Sequence, residues 1–224
     1  KLKNRDQMDR TEDFFLGARA GLRVGWADAA FGSKNSALIL AGSFGHGAKL
    51  SERATLLSSA DVTGRYQSGA IRNGVVEAAL RYYVKQTDQL LFFTTLEGAY
   101  GHNLDLDNQL LLGGDNGLRG YPLRYQGGNG RALLTIEQRY FSDWYPFRLF
   151  RVGAAAFIDI GRSFGQGALS TPSLGLLKDV GVGLRFGSSR SGLGNIIHVD
   201  LAFPLDGDSS IKNVQFLVET KQRF

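Results

Sequence analysis

Over about ten separate stretches of this chain every second residue is apolar, and wherever such a stretch carries charge, the charge keeps to the other parity. Side chains of an extended strand alternate between two faces, so the pattern fits a β-sheet with one apolar and one polar face. From Phe14 to Ala27 the even positions Phe14, Leu16, Ala18, Ala20, Leu22, Val24 and Trp26 are apolar, while Arg19 and Arg23 sit on odd ones. Helical spacing would also bring the two arginines to one side, but the strict parity and the interspersed glycines favour a strand. Ser36 to Gly47 and Ala54 to Tyr66 follow with many small residues, and Asn73 to Lys85 sets Val76, Ala78, Leu80, Tyr82 and Val84 against Glu77, Arg81 and Lys85. Gln89 to His102, Gly130 to Tyr140, Phe150 to Gly161, Asp179 to Gly187, Ile196 to Leu205 and Val214 to Phe224 repeat the rule. A tilted strand needs ~9 to 11 residues to cross a bilayer, and these stretches are of that order.

A soluble β-sandwich alternates as well, its apolar face turned to a shared core and its charged face to water. Two features oppose that reading. The apolar sets are nearly unbroken, and Glu137, Asp159, Arg185 and Asp200 share their face with Gly, Ala and aromatics, as in a crowded polar lumen. A barrel in a membrane also accounts for a mean hydropathy of only -0.14, because lipid-facing and lumen-facing residues average out. No stretch offers the ~20 consecutive apolar residues of a membrane helix. The expected fold is all-β: an antiparallel transmembrane β-barrel with about ten strands in this chain. Tyr140, Phe141, Trp144, Tyr145 and Phe147 cluster round one connection, where amphipathic rings would form part of an interfacial girdle. Such barrels keep periplasmic turns short and surface loops long. That rule puts both termini in the periplasm and the connections Asn103 to Asn129 and Arg162 to Leu176 outside.

Lys and Arg number 26 against 21 Asp and Glu, a net charge of +5. The basic residues are spread one or two per strand, without the cluster and stacking aromatics of a nucleic-acid surface, so a basic pore lining or anionic lipid fits better. The absence of Cys suits an oxidising compartment without requiring one. No signal peptide is visible at Lys1, which reads as a mature or truncated start.

One long connection stands apart: Gly113-Gly114-Asp115-Asn116-Gly117-Leu118-Arg119-Gly120-Tyr121, an arginine set among glycines. It is followed in order by Glu137, by Phe157-Ile158-Asp159-Ile160-Gly161, by Gly181-Val182-Gly183-Leu184-Arg185 and by Asp200-Leu201-Ala202-Phe203-Pro204-Leu205. Past Tyr100 this series resembles the Omp85 superfamily of outer-membrane β-barrels, the BamA-type (bacterial surface antigen) group that takes in BamA, TamA and two-partner-secretion transporters. The resemblance implies that residues 103–129 fold back into the lumen, with Gly117, Arg119, Gly120 and Tyr121 locking there against acidic residues of the next strands. Parity independently aims Glu137 and Asp159 inward, so Arg119 with Asp159, helped by Glu137 and next to Gly161, is the expected ion-pair hub. A guanidinium matches carboxylates bidentately, which suits Arg better than Lys for pinning a loop. Arg139, Arg185 and Asp200 are expected to face the same lumen.

The chain's end, with Val214, Phe216, Val218 and Phe224 on one parity, resembles the signal by which outer-membrane proteins are recognised for insertion; Gln222 stands where an aromatic is often expected. Barrels of the family have sixteen strands, and the motifs here correspond to the last ten or so. Residues 1–13 are too short and polar to supply the others and read as a periplasmic lead-in to a barrel domain at 14–224, without the periplasmic repeats that capture clients. About eight strands enclose little beyond side chains, so a ten-stranded ring would scarcely hold the loop. Strands missing from this chain, two chains combining, or a loop that lies differently are the alternatives. The resemblance implies protein insertion into, or translocation across, the outer membrane. A membrane anchor or export barrel for an absent passenger domain, and a simple pore, are the other readings. Expected partners are outer-membrane lipid and lipopolysaccharide, a client or passenger polypeptide, the insertion machinery and a second copy of the chain, and no nucleic acid.

Gly161-Arg162-Ser163-Phe164-Gly165 matches G-x-S-x-G, with Asp179 and His198 following in hydrolase order. A nucleophile elbow needs a strand-to-helix turn, and Gly165-Gln166-Gly167 with Ser170-Thr171-Pro172 offers no helix. His46, His102 and His198 are scattered, which argues against a metal site. Gly181-Val182-Gly183 lacks the helix and third glycine of a dinucleotide fingerprint. No catalytic residue, cofactor or metal is expected.

Overall fold

The computed structural model describes residues 2–165, 174–188, 195–222 and 224. Before the main sheet, β1 (Leu2–Lys3) and β2 (Thr11–Glu12) form a small antiparallel pair. The sheet comprises β3 (Gly17–Ala27), β4 (Ala37–Lys49), β5 (Ala54–Gln67), β6 (Ala70–Lys85), β7 (Leu90–His102), β10 (Gly130–Phe141), β11 (Phe150–Phe164), β12 (Leu177–Ser188), β13 (Ile196–Pro204) and β14 (Gln215–Lys221). Between β7 and β10, β8 (Leu110–Leu112) pairs with β9 (Gln126–Gly128) inside the long loop. Every alternating stretch of the sequence is one strand, and the ten strands lie in chain order with antiparallel neighbours, β3 and β14 forming the edges.

The sheet is inside out relative to a soluble one. Cross-strand register lines up Leu80, Leu96, Leu134 and Ile160 on the outward face, where Leu22 is 80% and Trp26 61% exposed. On the other face the same register lines up Thr95, Thr135, Asp159 and Asp179, all buried. A continuous exposed apolar belt over a buried polar interior is the wall of a transmembrane β-barrel.

Among the described connections turn lengths follow the expected sorting in part, since 142–149 at the end bearing the termini is nearly as long as 28–36 at the far end. Residues 50–53 and 86–89 make short turns at the end bearing both termini, and 103–129 lies at the far end. Also at the far end, β5 and β6 are joined by Ser68 and Gly69 alone, at φ 52° and 80°. A two-residue turn with both φ positive matches the twist of a hairpin. The strand β11 runs on to Phe164, so the connection placed at Arg162 to Leu176 is shorter than expected, and its residues 166–173 lie outside those described.

Residues 2–13 fold onto the lumen-facing side at the end bearing the termini. The Glu12 carboxylate accepts from the backbone N–H of Arg5 at 2.8 Å and of Asp6 at 2.9 Å, closing the segment on itself. Met8 is buried with Tyr83, Leu91, Phe93 and Phe141. The Asp6 carboxylate accepts from Tyr83 Oη at 2.9 Å, and Asp9 pairs with Arg151 at 2.6 Å.

Phe224 and Phe141 lie buried where parity and aromatic clustering pointed outward. Phe216 and Val218 are exposed on the outward face, but Phe224 is 4% exposed. β14 ends at Lys221, after which the Phe224 N–H donates to Asp6 O at 2.8 Å. Its ring packs against Phe141 in a tilted arrangement, 4.5 Å between centroids. Phe141 is buried in the same cluster and takes no part in a lipid-facing girdle, whereas Trp144 and Phe147 are exposed. Parity cannot follow a chain beyond the point where its ladder stops.

Removing the Met8 side chain by Met8→Ala should weaken docking of this segment by about 2–5 kcal/mol. The expected outcome is faster tryptic cleavage at Arg5 and Arg10, faster still in Met8→Asp. Cleavage at the parent rate in both variants would show that the segment is not held by its buried methionine.

Candidate functional site

The long loop is tethered before it enters the lumen. The Asp105 carboxylate accepts from Arg65 Nη2 at 2.7 Å and from Asn73 Nδ2 at 2.5 Å, tying the loop to the β5–β6 hairpin. Past β8 the chain makes a 3-10 turn at Gly114–Asn116 and reverses at Gly117, φ 107°. This left-handed backbone favours glycine, and a Cβ at Gly117 would fall on Leu133. Gly120 presses its backbone on β12, where a Cβ would collide with Asp179. These two close approaches drive Leu118 and Arg119 into the sheet, and Leu118 packs with Leu112, Tyr121, Leu133 and Leu177.

Arg119 meets both of the carboxylates that parity aimed inward. Its Nε and Nη2 donate to the Asp159 oxygens at 2.7 and 2.9 Å, and its Nη1 donates to Glu137 Oε1 at 2.8 Å. The guanidinium lies 3.3 Å over the Phe157 ring, a face-on cation–π contact. Asp200 completes the surround at 3.8 Å. Register explains the convergence: Glu137 lies opposite Phe157 and Thr135 opposite Asp159, so the carboxylates are diagonal neighbours on one face. Thr135 Oγ1 donates to Asp159 Oδ1 at 2.7 Å. Arg119 is 5% exposed and Asp159 0%.

The remaining lumen residues extend this hub. The second Glu137 oxygen accepts from Arg139 Nε at 2.8 Å. Arg139 lies over the Phe93 ring at 3.7 Å and donates to Arg5 O at 2.9 Å and Asp6 Oδ1 at 3.2 Å. A chain of charge-assisted bonds therefore runs from the loop to the N-terminal segment. On the other side Arg185 pairs with Asp200. The Tyr121 hydroxyl lies 2.8 Å from Lys178 O and 3.0 Å from Asp206 O. Burial pushes its phenol up to about 12, so it stays a neutral donor. Gly161 leaves room for Leu112 and Leu133. Beside the loop tip is a cavity of about 340 Å³, lined among others by Arg81, Glu97, Asn116, Arg131 and Lys221.

Asp6, Arg5 and Tyr83 belong to this network and were not foreseen. Tyr83 had a signal, since it shares the parity of Glu77 and Arg81; Asp6 had none, as nothing local distinguishes it in a polar segment. The G-x-S-x-G run is extended strand through Phe164. Asp179 pairs with Asp159, and His198 lies opposite Arg185. Along β12 those positions are six residues apart, about 20 Å at the rise of a strand. The three residues of the hydrolase pattern are not brought together.

No protein-family model matches the chain, and no curated protein matches it. Among solved structures the chain is similar to CdiB from Acinetobacter baumannii, with a TM-score of 0.59 and 18% sequence identity. The likeness covers 83% of this chain and 33% of that one, so this chain spans about a third of the length of its neighbour. At that identity the likeness shows the fold, an antiparallel transmembrane β-barrel wall.

Arg119→Ala would strand the buried Asp159 without its cation, leave Glu137 with Arg139 alone, and should cost loop docking about 3–5 kcal/mol. Arg119→Lys should restore only part, because a point charge cannot bridge both carboxylates as a fork does. A Leu118→Cys reporter, the single thiol in a chain without Cys, should be shielded from maleimide with Arg119 present and react rapidly with Arg119→Ala. Equal reactivity in both backgrounds would remove Arg119 as the clamp.

Proposed function

We propose that this chain is wall and gate of a BamA-type outer-membrane barrel that inserts proteins into that membrane or carries them across it, with both termini in the periplasm. The observation that carries the reading is the Arg119 clamp, which holds a far-end loop against the lumen-facing side through Asp159, Glu137 and Phe157. A buried charge cluster resists partial opening, because separating either partner leaves an uncompensated charge. The loop then has a docked and an undocked state with little between.

The proposed mechanism is passive and has no catalytic step. A client in extended form would leave through the edge strands β3 and β14, or pass along the lumen beside the loop tip, where the 340 Å³ cavity lies. The cavity's mixed charges suit an unfolded polypeptide better than a single ion species. Orientation in the membrane is supported by the short turns at 50–53 and 86–89 on the side bearing the termini.

A photocrosslinking amino acid at Val24 on β3, at Phe216 on β14 and at Arg81 on the lumen side tests the routes in cells. Adducts with foreign polypeptide are expected at one or more of these and not at Leu96 in mid-wall. Adducts with lipid or a second copy alone at every position would leave an anchoring role in place of transport. Deleting residues 103–129 should raise steady conductance in planar bilayers severalfold; a parent that already conducts at that level would be a simple pore.

A further inference from the structure

One buried carboxylate beside the Arg119 hub has no counter-charge. Asp179 on β12 stands directly opposite Asp159 on β11, and both side chains are fully buried. Directly opposed residues have Cβ atoms about 4.5–5.5 Å apart, which puts the two carboxyl groups within reach of each other. Asp159 is engaged: Arg119 holds both of its oxygens, and Thr135 donates to one of them. Neither oxygen of Asp179 accepts a hydrogen bond among the described residues. Gly120 presses its backbone on Asp179 from the loop, and Pro204 faces it from β13; proline has no N–H to donate. The charges around it are already matched. Arg119 serves Asp159 and Glu137, Arg139 serves Glu137 and Asp6 at the partly exposed edge of the network, and Arg185 serves Asp200. The adjacent Lys178 pairs with Asp206 at 3.5 Å. The Tyr121 phenol, which also approaches from the loop, is occupied by the backbone of Lys178 and Asp206.

Like charges directly across a ladder repel, and burial without a partner penalises each charge. A proton on one member removes both costs. A neutral carboxyl group carries one O–H donor, and Asp159 Oδ2, which accepts only from Arg119 Nε among the described residues, has a lone pair left to receive it. We infer that Asp179 is a positioning residue of the clamp: in the docked state it carries a proton and donates it to Asp159, closing the sheet side of the hub under Gly120. With Asp179 neutral, the buried cations Arg119, Arg139 and Arg185 face the buried anions Asp159, Glu137 and Asp200 one for one. An ionised Asp179 is a buried charge in excess. The docked form holds the proton, and lifting the loop uncovers the pair to water, where both carboxylates ionise readily. Docking is therefore strongest while Asp179 is protonated and weakens as pH rises through its ionisation. The inference needs the clamp geometry and is independent of what the barrel carries.

The test reads the Leu118→Cys reporter in the whole chain, with Asp179 intact and with Asp179→Asn, whose neutral amide donates to Asp159 as the protonated acid does. Maleimide chemistry itself changes with pH, so the two backgrounds are compared as a ratio of rates at each pH. At about pH 6 the ratio should be close to unity, and toward alkaline pH the thiol beside Asp179 should become severalfold more reactive than the one beside the asparagine. Infrared difference spectra between neutral and alkaline pH should show the carbonyl stretch of a neutral carboxylic acid in the parent and not in Asp179→Asn. Should the variant lose the parent's heat-modifiable mobility, the acid band of the parent decides alone. A ratio that stays constant with pH overturns the inference, as does a thiol freed by Asp179→Asn at about pH 6, where the substitution should be silent. Parent spectra without the acid band, or a band that survives in folded Asp179→Asn, overturn it equally.

Discussion

One guanidinium held between two buried carboxylates and an aromatic ring organises the inside of this protein. Arg119 reaches Asp159, Glu137 and Phe157 from a loop that begins at the far end of the sheet. Through Glu137 and Arg139 the same network passes to Asp6, whose carbonyl receives the N–H of Phe224. Loop, wall and both chain ends are thus joined by one continuous set of hydrogen bonds, charge-assisted from Arg119 to Asp6 and backbone to backbone from Asp6 to Phe224. Buried ion pairs contribute little net stability after desolvation, but losing one member is costly. Their effect here is positional: they allow one placement of the loop and penalise its neighbours.

Room for that network comes from small residues. The inward positions of β12 include Gly181 and Gly183, and side chains there would collide with the Phe157 ring and the Asp200 carboxylate. Polar groups are therefore packed inside as tightly as apolar ones are in a soluble core, while the large apolar side chains face out. The inversion follows from the solvent on each side. Hydrocarbon accepts Leu22 and Trp26 and rejects Asp159, whereas the interior can pair Asp159 with Arg119.

The sheet has two edges, β3 and β14. Unpaired backbone groups are not tolerated in hydrocarbon, so in a bilayer these edges require a partner: each other, further strands or a second copy. The loop occupies the lumen-facing side of β10 to β13, while inward residues of β3 such as Arg19 and Arg23 are exposed. A ten-stranded wall can carry this loop because it is not required to close tightly around it. The tension between strand number and loop size seen in the sequence is met by the loop lying against one side of the sheet.

Fold class was legible in residues 14–224 because period-2 alternation is a local property: each strand announces which of its side chains meet lipid, as with Val76, Leu80 and Val84 against Glu77 and Arg81. Glu137 and Asp159 were legible as inward residues for the same reason, and their partnership with Arg119 through family resemblance. Local pattern could not show that Asp6 bonds to Arg139 across 133 positions, that Phe224 turns inward past the end of β14, or that Asp179 stands opposite Asp159. Those features depend on strand register and on chain ends that no ladder constrains. The sequence by itself determined which face of each strand is apolar, since that needs only the alternation of side chains along an extended backbone. Only the tertiary structure decided which charges meet and where both termini lie, because distant residues are brought together by register, curvature and the burial of charges that must find a partner.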